Sequence, residues 1–345
     1  MNLILRRKIK IRIAFRVDAS SDIGFGHLMR TMALANGFPS DVDIIFITKD
    51  FSEVIKMLKN KQFDIIEIPN NNEYKKEIEL VKEIIEENNI DILVTDSYDI
   101  DQKYLTEIKK VVDRLVSIHD YAPFAFPSDI VINGNIYAPE LDYKSLYGDT
   151  EFLLGTDYTL MREEFQGLPD KEINEEVENI LVTVGGSDIL NLTPKIIKAI
   201  NRLDKEGLTI DVVIGAGFDN MPAIIKEVER SIHEIRLHFN VNRMSELMID
   251  SDMAISAGGS TLYELAAAGV PAIVMLQAEN QKLVTEAMAD ESCIVNLGFG
   301  DEIYCDDLTD ETEGLIGDFG ARKMMSKVGQ RLVDGKGVVR VSKNI

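Results

Sequence analysis

The chain has 345 residues, 45% hydrophobic and 28% charged, enough for two ordinary domains and the balance of a globular protein. Its formal net charge of −22 excludes nucleic acid or an anionic membrane surface as a general partner, so a bound anion must be met by local backbone amides. Two cysteines, Cys293 and Cys305, exclude a disulfide framework, and with no long apolar run and no signal-like start in "MNLILRRKIK" the expected location is a reduced cytoplasm.

Strand-like and helix-like segments alternate from the start. "IRIAFRV" (11–17) is followed by a glycine loop and by "GHLMRTMALANGF", whose apolar spacing predicts a helix stopped at Gly37. Then come "VDIIFIT", a helix around 51–60, "FDIIEIP", an acidic helix around 73–89, "DILVTD", a helix around 101–110, "RLVSIHD" and "DIVING". The rhythm breaks over 138–178, where Pro139, Pro169 and "DKEINEEVE" fall, and a domain boundary is expected there, dividing 1–165 from 166–345. It resumes with "NILVTV" (179–184), a helix from about Pro194, "TIDVVIG", a helix around 222–232, "IRLHFN", a helix around 243–250, "DMAISA", a helix from Thr261 and "PAIVML". Such alternation implies βαβ units with parallel strands, so two Rossmann-like α/β domains in tandem are expected, with ligands at the carboxyl ends of the strands.

Three glycine loops stand at such strand ends. The first, "DASSDIGFGHLMR" (18–30), has Gly24 and Gly26 but Met29 where the dinucleotide fingerprint needs a third glycine, so that motif fails. His27 stands at the helix start, where the dipole favours a neutral imidazole able to act as a base; the bland alternative is a capping histidine. Asp18 could orient His27 or merely cap the turn. The aspartates of "DID" (99–101) resemble a metal-binding Asp-x-Asp, but they open a helix, where aspartates cap. His119 is ambiguous, and His233 and His238 read as structural.

The second loop is Gly185-Gly186-Ser187, followed by Thr193 as a plausible helix cap and Pro194 at the first helical position. The third is Gly258-Gly259-Ser260, after which a helix starts at Thr261 and closes at Gly269, with Pro271 beyond. Each alone is an ordinary tight turn. Two in one half make a diphosphate cradle the more economical reading. Glu264 has two readings: acceptor for a ribose diol, or partner of Thr261 in a capping box.

"RVDASSDIGFGHLMRTMALA" and "SAGGSTLYELAAAGVPAIVMLQAENQ" together resemble the UDP-sugar hydrolases of the pseudaminic acid pathway and the related spore-coat polysaccharide proteins. These are kin to the glycosyltransferase that makes lipid II. The resemblance extends to "DSYDI" (96–100), "LLGTDYTLMREEF" (153–165), "VTVGGSD" and "LVDGKGVVRV" (332–341), and so touches both halves. It implies a glycosyltransferase-B-like fold with an interdomain cleft, an N-terminal sugar-handling domain and a C-terminal UDP-binding domain. The implied reaction is hydrolysis of UDP-2,4-diacetamido-2,4,6-trideoxy-β-L-altrose at its anomeric carbon, without metal or cofactor. His27 would be the catalytic residue that positions or deprotonates water. Asp18, Gly24, Gly26, Tyr98, Asn280 and Gln281 would line the sugar site. Gly185, Gly186, Ser187, Gly258, Gly259, Ser260 and Thr261 would hold the diphosphate, and Glu264 the ribose. Two departures stand out: "SIHDYA" has His119 where a second aspartate is expected, and 298–320 matches nothing in the pattern. The rival readings are an inverting UDP-sugar glycosyltransferase, a non-catalytic nucleotide-sugar-binding component and a hydrolysing 2-epimerase of UDP-GlcNAc.

Overall fold

A computed structural model describes residues 10–18, 25–70 and 73–345. Gly24, and with it most of the opening loop, lies outside the described residues. The chain divides into two compact units. One contains the described residues up to Gly134, Ala138–Leu160 and Val338–Ile345; the other contains Asn135–Tyr137 and Met161–Gly337.

The first unit runs β1 (Arg12–Val17), α1 (Gly26–Asn36), β2 (Asp43–Lys49), α2 (Ser52–Asn60), β3 (Asp64–Ile68), α3 (Tyr74–Glu87), β4 (Ile92–Asp96), α4 (Gln102–Ile108) and β5 (Arg114–Ile118). The short β6 (Ala125–Phe126), β7 (Ile130–Asn133), short β8 (Lys144–Ser145) and β9 (Glu151–Leu154) follow. A seven-stranded parallel sheet has the order β3-β2-β1-β4-β5-β7-β9, and β6 pairs with β8 apart from it. The central strands β1 and β4 are almost wholly buried, as a parallel sheet covered on both faces requires, and the one charge inside β1, Arg16, is paired with Asp18 and Glu77. One face packs on Leu28, Met32 and Leu34 of α1 and Val54 and Leu58 of α2; the other packs on Ile78, Val81 and Ile85 of α3 and Leu105 and Ile108 of α4. Strand order reverses between β1 and β4, which lie in register with Val17 opposite Asp96. Such a switch point opens a crevice at the carboxyl ends of its strands.

The second unit runs β10 (Asn179–Thr183), α5 (Leu192–Ile200), β11 (Thr209–Ile214), α6 (Met221–Val228), β12 (Glu234–Phe239), α7 (Met244–Asp250), β13 (Met253–Ala257), α8 (Thr261–Ala267) and β14 (Ala272–Leu276). Beyond these lie α9 (Lys282–Asp290), β15 (Ile294–Phe299), α10 (Cys305–Gly317) and α11 (Phe319–Leu332). The six parallel strands take the order β12-β11-β10-β13-β14-β15, the doubly wound arrangement of a dinucleotide-binding domain. Its switch point falls between β10 and β13, so the loops after Thr183 and Ala257 leave the sheet side by side. The stretch 298–320, which matched no pattern, forms the end of β15 and helix α10, packed against α5 through Leu308 and Leu315.

The last helix, α12 (Gly337–Asn344), departs from the expected division at 165/166, which assigned the whole C-terminus to the second domain. Val341 is fully buried in the core beneath α1, and Val338 packs against Gly37. Gly37 itself has φ −78°, so it does not end α1 by left-handed geometry. It is needed because a Cβ there would collide with Val338. No helix of the described residues is long and apolar enough to cross a membrane.

Candidate functional site

The switch point of the first unit gathers a chain of charged and aromatic side chains. His27 is the second residue of α1 and is buried. Its Nδ1 lies 2.6 Å from Asp96 Oδ1 at the end of β4. Arg30, one turn further along α1, donates Nε to Asp96 Oδ2 at 2.7 Å and Nη2 to Asp96 Oδ1 at 2.6 Å. Its Nη1 donates to Asp120 Oδ1, also at 2.6 Å. The other oxygen of Asp120 accepts from the Tyr98 hydroxyl at 2.6 Å, and the Tyr98 ring meets His27 edge to face with centroids 4.6 Å apart.

This geometry fixes the imidazole. Asp96 and Arg30 both approach Nδ1, Arg30 Nη2 at 3.0 Å, but a guanidinium can only donate and a carboxylate only accept. Nδ1–H therefore donates to Asp96, beside the Arg30 hydrogen on the same oxygen. In the neutral ring the lone pair then sits on Nε2. An Asp that pins Nδ1 and leaves Nε2 to take a proton is the orienting arrangement of a general base.

Asp18 does not take that role. It accepts from Arg16 at 2.7 Å and from Ser97 Oγ at 2.8 Å, with Lys49 3.6 Å away. Burial opposes its charge, yet Arg16 holds its carboxyl below the ordinary carboxylate range. The reason is local: residues two apart share one face of a strand, so Arg16 claims Asp18 first. Asp96, opposite Val17 on the neighbouring strand, is left for His27. Asp120 also stays ionised: burial raises its pKa, but Arg30 overrides this and holds it well below the usual range. For Tyr98, burial and then the charge of Asp120 push the hydroxyl well above an ordinary phenol, so it remains a donor.

His119 cannot replace His27 as a base at Nε2. Its Nδ1 accepts from the Tyr121 amide at 3.1 Å, which puts the hydrogen of the neutral ring on Nε2. Burial lowers its pKa against the pull of Asp120. It lies against Tyr98, Tyr121, Phe124 and Phe126, so its side chain is one polar edge in an aromatic wall. Of the "DID" pair, Asp101 caps α4 by accepting from Tyr104 N at 2.8 Å, and Asp99 pairs with Lys49. Among the described residues no group of three His, Cys, Asp or Glu is placed to hold a metal ion. Among the described residues, a Cβ on Gly26 would meet nothing within 4 Å, so packing against them does not require glycine there.

In the second unit the two Gly-Gly-Ser turns are tied together by a residue of the "LQAENQ" stretch to which the motif reading gave no role. Gln277, after β14, donates Nε2 to Val184 O at 2.8 Å and to Ser187 O at 3.3 Å. Its backbone N–H donates to Gln281 Oε1 at 2.8 Å, and Gln281 in turn lies over the other turn. A Cβ on Gly258 would come within 2.9 Å of Gln281 Cβ and 2.7 Å of Thr285 Oγ1. Gly185 and Gly259 take positive φ, +96° and +123°, as tight turns demand of glycine. Asn280 is exposed on the same short turn as Gln281.

Two local expectations change. Thr193 does not cap α5: the amides of Leu192 and Thr193 donate to Asp188 at 2.6 and 2.9 Å, and Asn220 also holds that carboxylate. The buried Asp188 reaches back over the turn, so a carboxylate already occupies the α5 N-terminus and the anion-binding capacity there is used. The capping box at α8 does not form either. Ser260 is the N-cap, without a side-chain cap, and Glu264 lies one residue too far along. Its Oε1 instead accepts from Arg162 Nε at 3.1 Å and Nη2 at 2.9 Å. Burial raises the Glu264 pKa, with Arg162 opposing. Tyr263, from the same helix, donates to Asn135 Oδ1 at 3.1 Å and accepts from Ile136 N at 3.0 Å.

A family model described as lipid-A-disaccharide synthetase matches residues 157–288. An uncharacterized protein of Methanocaldococcus jannaschii is 30% identical over 79% of this chain, which spans 57% of that protein's length. The spore coat polysaccharide biosynthesis protein SpsG of Bacillus subtilis is 28% identical, covering 96% of this chain and 97% of its own. A UDP-2,4-diacetamido-2,4,6-trideoxy-β-L-altropyranose hydrolase of Campylobacter jejuni is 28% identical over 74% of this chain and 87% of its own. The crystal structure of MurG from Acinetobacter baumannii superposes with a TM-score of 0.73 at 14% identity, covering 97% of this chain and 99% of that one. Anabaena HepE in complex with UDP gives a TM-score of 0.62 at 12% identity, over 97% and 99%. By sequence the chain is a relative of the spore-coat polysaccharide protein and of the pseudaminic-pathway UDP-sugar hydrolases, and its fold is glycosyltransferase-B-like.

Proposed function

We propose that this protein hydrolyses a UDP-linked 2,4-diacetamido-2,4,6-trideoxy sugar of the altrose type, releasing UDP and the free sugar for nonulosonic acid synthesis. The observation that carries the reading is His27, pinned at Nδ1 by Asp96 so that Nε2 is left to take a proton from water. The water oxygen attacks the anomeric carbon as its proton passes to Nε2. The bond from that carbon to the phosphate oxygen breaks with its electron pair going to UDP. A single displacement of this kind inverts the anomeric centre. No metal takes part, so activity should survive chelator. The aromatic wall of Tyr98, Tyr121 and Phe124 suits the methyl groups of an acetylated 6-deoxy sugar.

The nucleotide belongs, in this reading, to the second unit. Amides of the Gly258–Thr261 turn and of the Gly185–Ser187 turn meet the diphosphate, and Glu264 accepts from the ribose diol. Asp188 removes the α5 N-terminus from that cradle, which leaves the turn amides themselves.

A second reading is an inverting glycosyltransferase, favoured by the match of 157–288 to the lipid-A-disaccharide synthetase model. One experiment separates them. The protein is incubated with the UDP-sugar in ¹⁸O-water without acceptor, and products are followed by NMR and mass spectrometry. Hydrolysis releases UDP steadily, with ¹⁸O on the sugar and none on UDP. Release that needs an added sugar or lipid acceptor identifies a transferase. Consumption of UDP-GlcNAc with inversion at C2 would identify an epimerase.

A further inference from the structure

Arg30 is the last residue of the "DASSDIGFGHLMR" stretch and was given no role there, yet it joins the two carboxylates of the network in the first unit. Through Asp96 it shares an acceptor with His27, and through Asp120 it shares one with Tyr98. It sits three residues after His27, on the same helix face, so both reach the carboxyl end of β4. Asp96 is 1% exposed and the Arg30 side chain 21%, so the charges act on one another through little water.

We propose that Arg30 is a positioning residue for the hydrolysis, locking His27 and Tyr98 into one arrangement by holding Asp96 and Asp120 in a single fork. The inference rests on the function proposed above. Among the described residues the groups facing His27 are Asp96 from β4, Tyr98 from the following loop, Arg30 from α1 and, one contact further, Asp120 after β5. Two of these are carboxylates, and Arg30 is the cation that holds both. Without it, Asp96 would still meet His27 and Asp120 would still meet Tyr98, but the fork that sets one pair against the other would be gone.

The fork is also required. Three guanidinium nitrogens reach two carboxylates on different strands' ends, a span that a lysine ammonium cannot reproduce.

The test uses the full chain and its four histidines, whose Cε1–H signals are assigned by single His→Asn replacements. In Arg30→Gln and Arg30→Lys alike, the nuclear Overhauser effect between the His27 ring and the Tyr98 ring should weaken, while the signals of His233 and His238 in the other unit stay in place. In both variants kcat should fall about tenfold with little change in KM, because the fork is lost and the nucleotide site is untouched. An unchanged His27–Tyr98 contact, or wild-type turnover in Arg30→Lys, overturns the proposal. If Arg30→Gln does not fold, Arg30→Lys decides alone. The NMR contact needs no turnover, so if the wild-type protein releases no UDP, the functional reading fails while the claim about His27 and Tyr98 is still decided.

Discussion

Replacing Asp96 by Asn tests the proposed base most directly, because the change removes a charge without removing volume. The carboxylate accepts three close hydrogen bonds, one from His27 and two from Arg30, at 2.6–2.7 Å. An amide has one oxygen and one NH2 in their place. The oxygen that His27 and Arg30 Nη2 share and the one that Arg30 Nε uses cannot both be kept. If the NH2 takes the shared place, His27 Nδ1 must become the acceptor, the ring hydrogen moves to Nε2 and the lone pair that should take the water proton is gone. If it takes the other, the NH2 faces Arg30 Nε, and the charge that stabilises the developing imidazolium is still lost. The loss should approach the full contribution of a positioned base, about 10²- to 10⁴-fold in kcat. That equals roughly 3–5 kcal/mol of transition-state stabilisation. The fold will also suffer. A charged hydrogen bond contributes about 1.5–3 kcal/mol, but Arg30 keeps Asp120, so about 1–3 kcal/mol of stability should go. Because the two effects are of similar size, urea unfolding must first show where the variant is fully folded, and UDP release is then measured there. UDP affinity, read by calorimetry, should stay near wild type, since the nucleotide is assigned to the second unit. Turnover within about fivefold of wild type in a folded Asp96→Asn protein would refute Asp96 as the orienting group and His27 Nε2 as the base.

Other outcomes follow from single contacts. Glu264→Gln should weaken UDP binding by about 1–3 kcal/mol in calorimetry; unchanged affinity would show the carboxylate serves only Arg162, whose fork it holds. The same variant should lose some stability in urea, as the Arg162 pair is broken on one side. Folding lowers the His119 pKa by burial, so the unfolded chain binds its proton more readily. Its contribution is complete above the ordinary histidine value near 6.5 and declines as pH falls below it; His119→Asn should flatten the loss of stability measured between pH 7.5 and 5.5. Gln277→Ala removes the donor that joins Val184 O and Ser187 O, and should cost about 1–2 kcal/mol of stability together with a measurable loss of UDP affinity. A loss of stability alone would confine Gln277 to holding the turns.

The alternation of strands and helices was open to sequence reading because it rests on local periodicity. An apolar run such as "DILVTD" is too short for a helix and bounded by aspartates, so it reads as a buried strand, and its helical neighbours repeat apolar residues every three or four positions. The position of His27 at the start of α1 followed in the same way. Two further contacts carried a local signal: Arg16 precedes Asp18 by two residues on one strand, and Arg30 follows His27 by one turn of one helix. What the sequence alone could not determine was every pairing between distant segments. Asp18 and Asp96 both end strands at the same switch point, and only the parallel register of β1 and β4, with Arg16 engaging one of them, decides which meets His27. The capping pattern at Thr261 was correct in letters and wrong in phase, because the helix begins one residue earlier in its capping frame and Arg162, far along the chain, supplies a stronger partner for Glu264. Helix α12 was assigned to the wrong unit for the same reason: an amphipathic helix declares which of its faces is apolar, but not which core will bury it, and only the tertiary structure sets Val341 against the first sheet.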